Sequence, residues 1–150
     1  MPQSFGRLFV HLIFSTKDRA PVLADAFRDE LHTVVGGLLR AAGSPPVAIN
    51  SVDDHIHALF LLSRTESVAG VVNKVKSNSS KWVHDAVAGL ADFHWQHGYG
   101  AFSVSQSNVS AVTQYIENQK DHHGTQTFQE EYREFLRRHE IEFDERYVWD

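Results

Sequence analysis

The sequence contains no cysteine, which excludes disulfides, thiolate nucleophiles and zinc or iron–sulfur sites built on cysteine. It also lacks any apolar run near the roughly 18 residues that a membrane span requires. The N-terminus shows neither the basic region nor the small-residue cleavage site of a signal peptide. With 42% hydrophobic and 22% charged residues in 150, the chain is typical of one globular domain. We therefore expect a cytoplasmic protein with no membrane association.

An excess of basic charge is missing as well, because the formal net charge is −5. This argues against a protein that coats nucleic acid indiscriminately. The charge is uneven, since residues 126–150 carry eight acidic and only four basic side chains. Residues 67–84, in contrast, contain Lys74, Lys76 and Lys81 and no acid. A local anion site can therefore exist within an acidic chain.

The hydrophobic pattern predicts an α+β fold with the element order β-α-β-β-α-β. The predicted elements are a strand in 5–14, a helix over 25–41, a hairpin of 47–51 and 55–62, a helix over 66–88, and one or two strands in 93–105. This order is the ferredoxin-like, or split βαβ, pattern. It predicts an antiparallel sheet with helices on one face.

Two further helices are predicted after the last strand. One covers 108–122 with Ser107 as its N-cap, and the other covers about 127–139. We expect residues 1–125 to form the ferredoxin-like domain. Residues 126–150 then form an acidic, aromatic, helical extension of that same domain.

The predicted strand over 55–62 carries a pair of histidines, His55 and His57. Residues two apart in a strand point to the same face, so the two imidazoles project side by side. Such a pair suits a divalent cation. The bare pattern is also compatible with two half-exposed histidines that happen to alternate.

The predicted helix over 108–122 carries Tyr115 and Gln119 one turn apart, so the two side chains are neighbours. Gln119 continues the apolar stripe that includes Ile116. An amide aimed at a core must find hydrogen-bond partners there. The alternative is that the stripe has already reached solvent at the end of the helix.

Taken together, a His-x-His strand followed later by a Tyr-x-x-x-Gln helix resembles the single-tyrosine HUH transposases, the insertion-sequence 200/605 class. Other segments also look like members of this family. They are residues 11–19, 54–57, 79–82, 95–105, 128–133 and 144–149. The resemblance therefore extends over nearly the whole chain, and it makes 1–125 a catalytic domain of the HUH type.

The resemblance implies a DNA transposase with Tyr115 as the nucleophile and one divalent metal, Mg²⁺ or Mn²⁺, held by His55, His57 and Gln119. It also implies single-stranded DNA hairpins as substrate, a 5′-phosphotyrosine intermediate and a homodimer. The residues alone leave other metal ligands open near the motif. These alternatives are Glu117, Asn118, His122 and His123.

Five cations are candidates for contacts to DNA phosphates: Lys17 and Arg19 after the first strand, and Lys74, Lys76 and Lys81. Their alternative roles are a polar loop and a solvated helix face. Two other functions share these features with a transposase: a domesticated enzyme that processes repeated palindromes, and a non-catalytic module that binds single-stranded nucleic acid. A metal-dependent hydrolase of small phosphoesters would use water in place of Tyr115.

Overall fold

Four strands form one antiparallel sheet in the computed structural model, which describes residues 2–120 and 125–150 in full and residues 121–122 by their backbone. The strands are β1 (Phe9–Ser15), β2 (Pro46–Ser51), β3 (His55–Leu61) and β4 (Gly100–Val104). Their order in the sheet is β2-β3-β1-β4, and each neighbouring pair is antiparallel. This is the topology of the split βαβ pattern, so the predicted fold class is confirmed.

The two central strands, β1 and β3, are buried on both faces. In β1 the side chains of Val10, Leu12 and Phe14 belong to the core on one face of the sheet. Phe9 and Ile13 point to the other face, where they belong to two smaller clusters. This alternation with period two explains why the segment reads as an unbroken apolar run.

Two long helices, α1 (Asp25–Ala41) and α2 (Val68–Ala86), cover the first face, as the pattern predicts. Ser67 caps the N-terminus of α2 by accepting a hydrogen bond from the backbone of Gly70. Gly43 follows α1 with a φ of +67°, a conformation that glycine adopts without strain. The buried stripes of the two helices are Phe27, Leu31, Val35 and Leu39 in α1, and Val71, Val72, Val75 and Val83 in α2.

The opposite face of the sheet is covered by helices that follow β4. They are α3 (Val109–Glu117), the short α4 (Gln119–His122) and α5 (Phe128–Arg138). α5 packs Phe128, Tyr132 and Leu136 against Ile13 and Phe102 of the sheet. The close approach depends on Gly100, because a Cβ there would lie 2.6 Å from the Tyr132 ring. The candidate residues for chemistry lie between this face and these helices.

The helix predicted over 108–122 is divided in the structure, and Ser107 is not its N-cap. Residues Gln106–Asn108 form a 3₁₀ turn, and α3 begins at Val109 with Asn108 as the capping residue. The helix ends at Glu117, where the Asn50 amide of β2 donates to the carbonyls of Ile116 and Glu117, at 2.9 and 3.1 Å. This tertiary contact lies at the boundary and ties α3 to the sheet.

Two smaller differences concern strands. The first strand begins at Phe9 and not at residue 5, which leaves Phe5 and Leu8 largely exposed. The segment 93–105 contributes one strand, β4, together with a single bridge between Trp95 and Thr16. Among the described residues, none of the helices is long and apolar enough to cross a membrane.

Candidate functional site

Strand β3 places His55 and His57 side by side on the face that α3 and α5 cover. Their ring centroids lie 5.2 Å apart. Both side chains are 0% exposed, which differs from the half-exposed strand that the bare pattern allowed. Fully buried histidines require hydrogen-bond partners, and those partners define the site.

Each of the two imidazoles is held through its Nδ1 atom. His55 Nδ1 lies 2.6 Å from Asp54 Oδ1, and His57 Nδ1 lies 2.8 Å from Nε2 of the buried His11. Both Nε2 atoms therefore approach one centre. This is the arrangement in which a neighbouring group orients a metal-binding histidine.

The pKa values of His11 and His55 shift in opposite directions because their neighbours differ. Burial, followed by the adjacent His57, lowers the pKa of His11 well below 6.5, so His11 is neutral. Burial also opposes the charged form of His55, but hydrogen bonds to Asp54 and Glu131 outweigh it and raise the pKa of His55. A cation that binds His55 would therefore compete with a proton.

The third member of the cluster is Glu131 of α5, which the sequence analysis did not identify. Its side chain is 1% exposed, and its Oε1 lies 3.0 Å from His57 Nε2 and 3.4 Å from His55 Nε2. One ligand atom from each of the three residues lies within 4.8 Å of the others, so together they could hold a metal ion. The sequence does contain a signal, since Glu131 interrupts the buried stripe of α5 formed by Phe128, Tyr132 and Leu136.

Tyr115 of α3 lies beside this cluster. Its ring centroid is 5.9 Å from that of His57, and its hydroxyl donates a hydrogen bond to Glu131 Oε2. The side chain is half-buried, and a cavity of about 210 Å³ lined by Tyr115, Glu131 and Phe135 opens beside it. Burial and then the charge of Glu131 raise the pKa of Tyr115 far above 10, so the resting residue is a neutral phenol.

Gln119 of α4 is 0% exposed and lies directly below Tyr115. Its Nε2 donates to the Tyr115 carbonyl at 3.3 Å, and its amide also hydrogen-bonds the phenol, which lowers the pKa of Tyr115. Of the alternative ligands, Glu117 and Asn118 are exposed. The alternatives His122 and His123 lie outside the side chains that the structure describes.

The three lysines of α2 have different surroundings. Lys76 Nζ donates to the carbonyls of Gln96, His97 and Gly98, at 2.5, 3.0 and 2.8 Å, and so holds that loop against the helix. Lys74 is exposed and pairs with Glu66 at 3.3 Å. Lys81 is exposed.

The other two cations, Lys17 and Arg19, lie in a short 3₁₀ turn after β1. Thr16, which begins this loop, donates its backbone N–H to the carbonyl of Asp54, so the turn borders the His55 end of the cluster. Lys17 is exposed, and Arg19 lies over the Trp149 ring at 5.7 Å. The turn that carries both cations is therefore joined through Thr16 to the residue that precedes His55.

Comparison with known proteins identifies the family and similar folds. A model of the family described as "Transposase IS200 like" matches residues 4–119. The ISDra2 transposase TnpA of Deinococcus radiodurans is 24% identical over 120 residues, which are 77% of this chain and 86% of that protein.

Two solved structures are similar in fold. One is a transposase from Deinococcus radiodurans R1, with a TM-score of 0.62 and 27% identity over 79% of this chain and 98% of that one. The other is a REP-associated tyrosine transposase bound to a REP hairpin. It has a TM-score of 0.61 and 14% identity over 83% of this chain and 73% of that one.

Proposed function

Because the chain belongs to the IS200-like transposase family, we propose that it cleaves and rejoins single-stranded DNA through a covalent bond between DNA and Tyr115. Family membership supports an enzyme of DNA recombination. The observation that supports the particular chemistry is the contact of one phenol with a buried His-His-Glu cluster. A module that only binds nucleic acid has no need for this contact.

In the proposed reaction the Tyr115 oxygen attacks the scissile phosphorus. The phenol loses its proton, the new O–P bond forms the 5′-phosphotyrosine, and the released 3′-oxygen gains a proton. The phosphodiester energy is conserved in the covalent link. A free 3′-OH can therefore attack the same phosphorus later and rejoin the strands while the phenol recovers its proton.

The donor set fits a divalent cation such as Mn²⁺ or Mg²⁺, because it combines two imidazole nitrogens with a carboxylate oxygen. We propose His55, His57 and Glu131 as ligands, together with Gln119, the amide that the family resemblance implies. Such a cation would polarise the phosphate and offset the charge that develops on it. The residues of the chain contribute orientation, since Asp54 and His11 fix the two rings.

We propose hairpin-forming single-stranded DNA as the substrate. The structurally similar REP-associated transposase is bound to a REP hairpin. At 14% identity, its likeness to this chain concerns the fold alone. In this chain Lys17 and Arg19 lie in the turn that Thr16 joins to Asp54, the residue before His55, and we propose that both contact phosphates of the bound strand. Lys74 and Lys81 on α2 are exposed for contacts to a longer substrate.

A homodimer in the cytoplasm is the remaining part of the proposal. Large apolar side chains at the N-terminal segment and on the edge strand β2 are exposed, including Phe5, Leu8 and Val47. Exposed apolar surface of this kind is typical of sites of association. Sedimentation equilibrium of the native protein, with and without hairpin DNA, measures the oligomeric state.

The decisive experiment is Tyr115→Phe incubated with labelled hairpin DNA and Mn²⁺ or Mg²⁺. The native protein should form a DNA adduct that survives SDS, whereas Tyr115→Phe should bind the DNA and form none. Tyr99→Phe, a change at an exposed tyrosine, is the matched control and should form the adduct normally. An adduct from Tyr115→Phe would disprove this nucleophile, and cleavage without any adduct would indicate a hydrolase that uses water.

A further inference from the structure

One carboxylate joins the candidate metal cluster to the candidate nucleophile. Glu131 Oε1 faces the Nε2 atoms of His57 and His55, at 3.0 and 3.4 Å. The other oxygen, Oε2, accepts the hydrogen bond of the Tyr115 hydroxyl. One oxygen of Glu131 therefore contacts the candidate metal ligands, and the other contacts the candidate nucleophile.

The position of this carboxylate is fixed by the packing of α5. Thr127 and Glu130 form a capping box at the start of the helix, and the stacked rings of Phe128 and Tyr132 pack against Ile13 of the sheet. A buried carboxylate is costly unless it is paired, and this one is 1% exposed within an apolar stripe. The contacts of Glu131 with the two histidines and with Tyr115 therefore offset the cost of its burial.

We propose that Glu131 is a positioning residue that couples metal binding to the orientation of Tyr115. This inference rests on the proposed function and extends it. If Oε1 binds the cation, Oε2 can still accept the hydrogen bond of the Tyr115 hydroxyl. A single buried side chain would then fix the position of the phenol oxygen relative to the cation. The C-terminal helix thereby becomes part of the active site.

Coupling of this kind is reciprocal. The phenol would hydrogen-bond the carboxylate that binds the metal and so orient this ligand. Loss of such a hydrogen-bond partner typically weakens metal affinity by about 10- to 100-fold. Tyr115→Phe should therefore bind Mn²⁺ about tenfold more weakly than the native protein, in the absence of any DNA. A tyrosine without a link to the metal would have no such effect.

The test is a double-mutant cycle in which isothermal titration calorimetry measures Mn²⁺ affinity in DNA-free protein. The four proteins are native, Tyr115→Phe, Glu131→Gln and the double variant. Glu131→Gln keeps the shape of the side chain and should weaken Mn²⁺ binding at least tenfold. Adding Tyr115→Phe to Glu131→Gln should cause little further loss, because the connecting carboxylate is already absent.

Glu134→Gln is the matched control for charge. Glu134 lies one turn further along α5, where it pairs with Arg138, and it also raises the pKa of Tyr115. Its side chain is 46% exposed, and it is not one of the three residues grouped to hold a metal ion among those that the structure describes. Glu134→Gln should therefore leave Mn²⁺ affinity unchanged within about twofold.

Three outcomes would overturn the proposal: native protein that binds no Mn²⁺, equal Mn²⁺ affinity in native protein and Tyr115→Phe, or the same loss from Tyr115→Phe in both backgrounds. If Glu131→Gln does not fold, the comparison of native protein with Tyr115→Phe still decides between coupling and its absence. Failure of the proposed function has a different signature. In that case the cycle shows coupling, but the native protein forms no covalent adduct with hairpin DNA.

Discussion

Replacement of Lys76 by methionine should destabilise the protein much more than the same change at Lys74. The Lys76 ammonium donates to three carbonyls of the loop 96–98, and the side chain is half-buried. Lys74 is 51% exposed and makes one ion pair. Methionine retains most of the aliphatic stem and has a similar helix propensity, so the comparison isolates the ammonium group.

The expected loss follows from the number and kind of the contacts. A hydrogen bond to a charged group contributes about 1.5–3 kcal/mol, and water can replace part of the contacts at a half-exposed loop. We therefore expect Lys76→Met to lower the free energy of unfolding by about 2–4 kcal/mol. For a chain of this size that is a fall in Tm of about 5–12 °C. Lys74→Met should cost about 0–1 kcal/mol, as is usual for a surface ion pair.

Urea denaturation and thermal unfolding of the native protein and the two variants measure these differences directly. Equal stability of Lys76→Met and Lys74→Met would refute the structural role of Lys76.

A second measurement is the salt dependence of DNA binding. Lys74→Met and Lys81→Met should each reduce the slope by about 0.7 for single strands at nearly unchanged stability. If Lys76→Met shows that same behaviour, Lys76 is a phosphate contact and not a support for the loop.

Three further predictions concern the site itself. His57→Ala, or addition of EDTA to the native protein, should abolish cleavage of hairpin DNA, because the buried imidazole is a proposed ligand. Gln119→Leu should weaken Mn²⁺ binding measured by calorimetry, because an apolar side chain can neither ligate nor hydrogen-bond the phenol. The stability of metal-free protein should fall as the pH rises through the raised pKa of His55, above 6.5, since protonated His55 is the form that the fold favours. Over the same pH range Mn²⁺ affinity should rise, because the cation displaces that proton.

Two of these predictions have a matched control variant, and the pH dependence has an outcome that would contradict it. His97→Ala removes an exposed imidazole and should cleave normally, so equal loss from both histidine variants would contradict a specific ligand role. Gln114→Leu changes an exposed amide on α3, and it should leave Mn²⁺ affinity as in the native protein. Mn²⁺ affinity that does not rise as the pH increases above 6.5 would contradict competition with a proton at His55.

Local pattern in the sequence determined most of the fold. The helical spacing of Phe27, Leu31 and Val35 predicts α1, and the alternating faces of the apolar runs predict β1 and β3. These features depend on periodicities of 3.6 and 2 residues, which neighbouring positions alone define. The same reasoning places His55 and His57 on one face of a strand, and the structure confirms that placement.

The tertiary structure decided the features that depend on contacts between distant segments. The end of the helix that carries Tyr115 is hydrogen-bonded by Asn50 of β2, and the surroundings of Lys76 come from a loop 20–22 residues away. Periodicity contains no information on either contact. The sequence therefore predicted one continuous helix and grouped three lysines that have different surroundings.

Glu131 illustrates the boundary between the two kinds of information. Its sequence position, inside the apolar stripe of α5, indicates that this carboxylate must find buried partners. Only the docking of α5 on the sheet, 74 residues after His57 in the chain, identifies those partners as His57 and Tyr115. A carboxylate on an apolar helix face indicates a buried partner, because burial of a lone carboxylate is costly. Which groups meet that need is set by the packing of the whole domain.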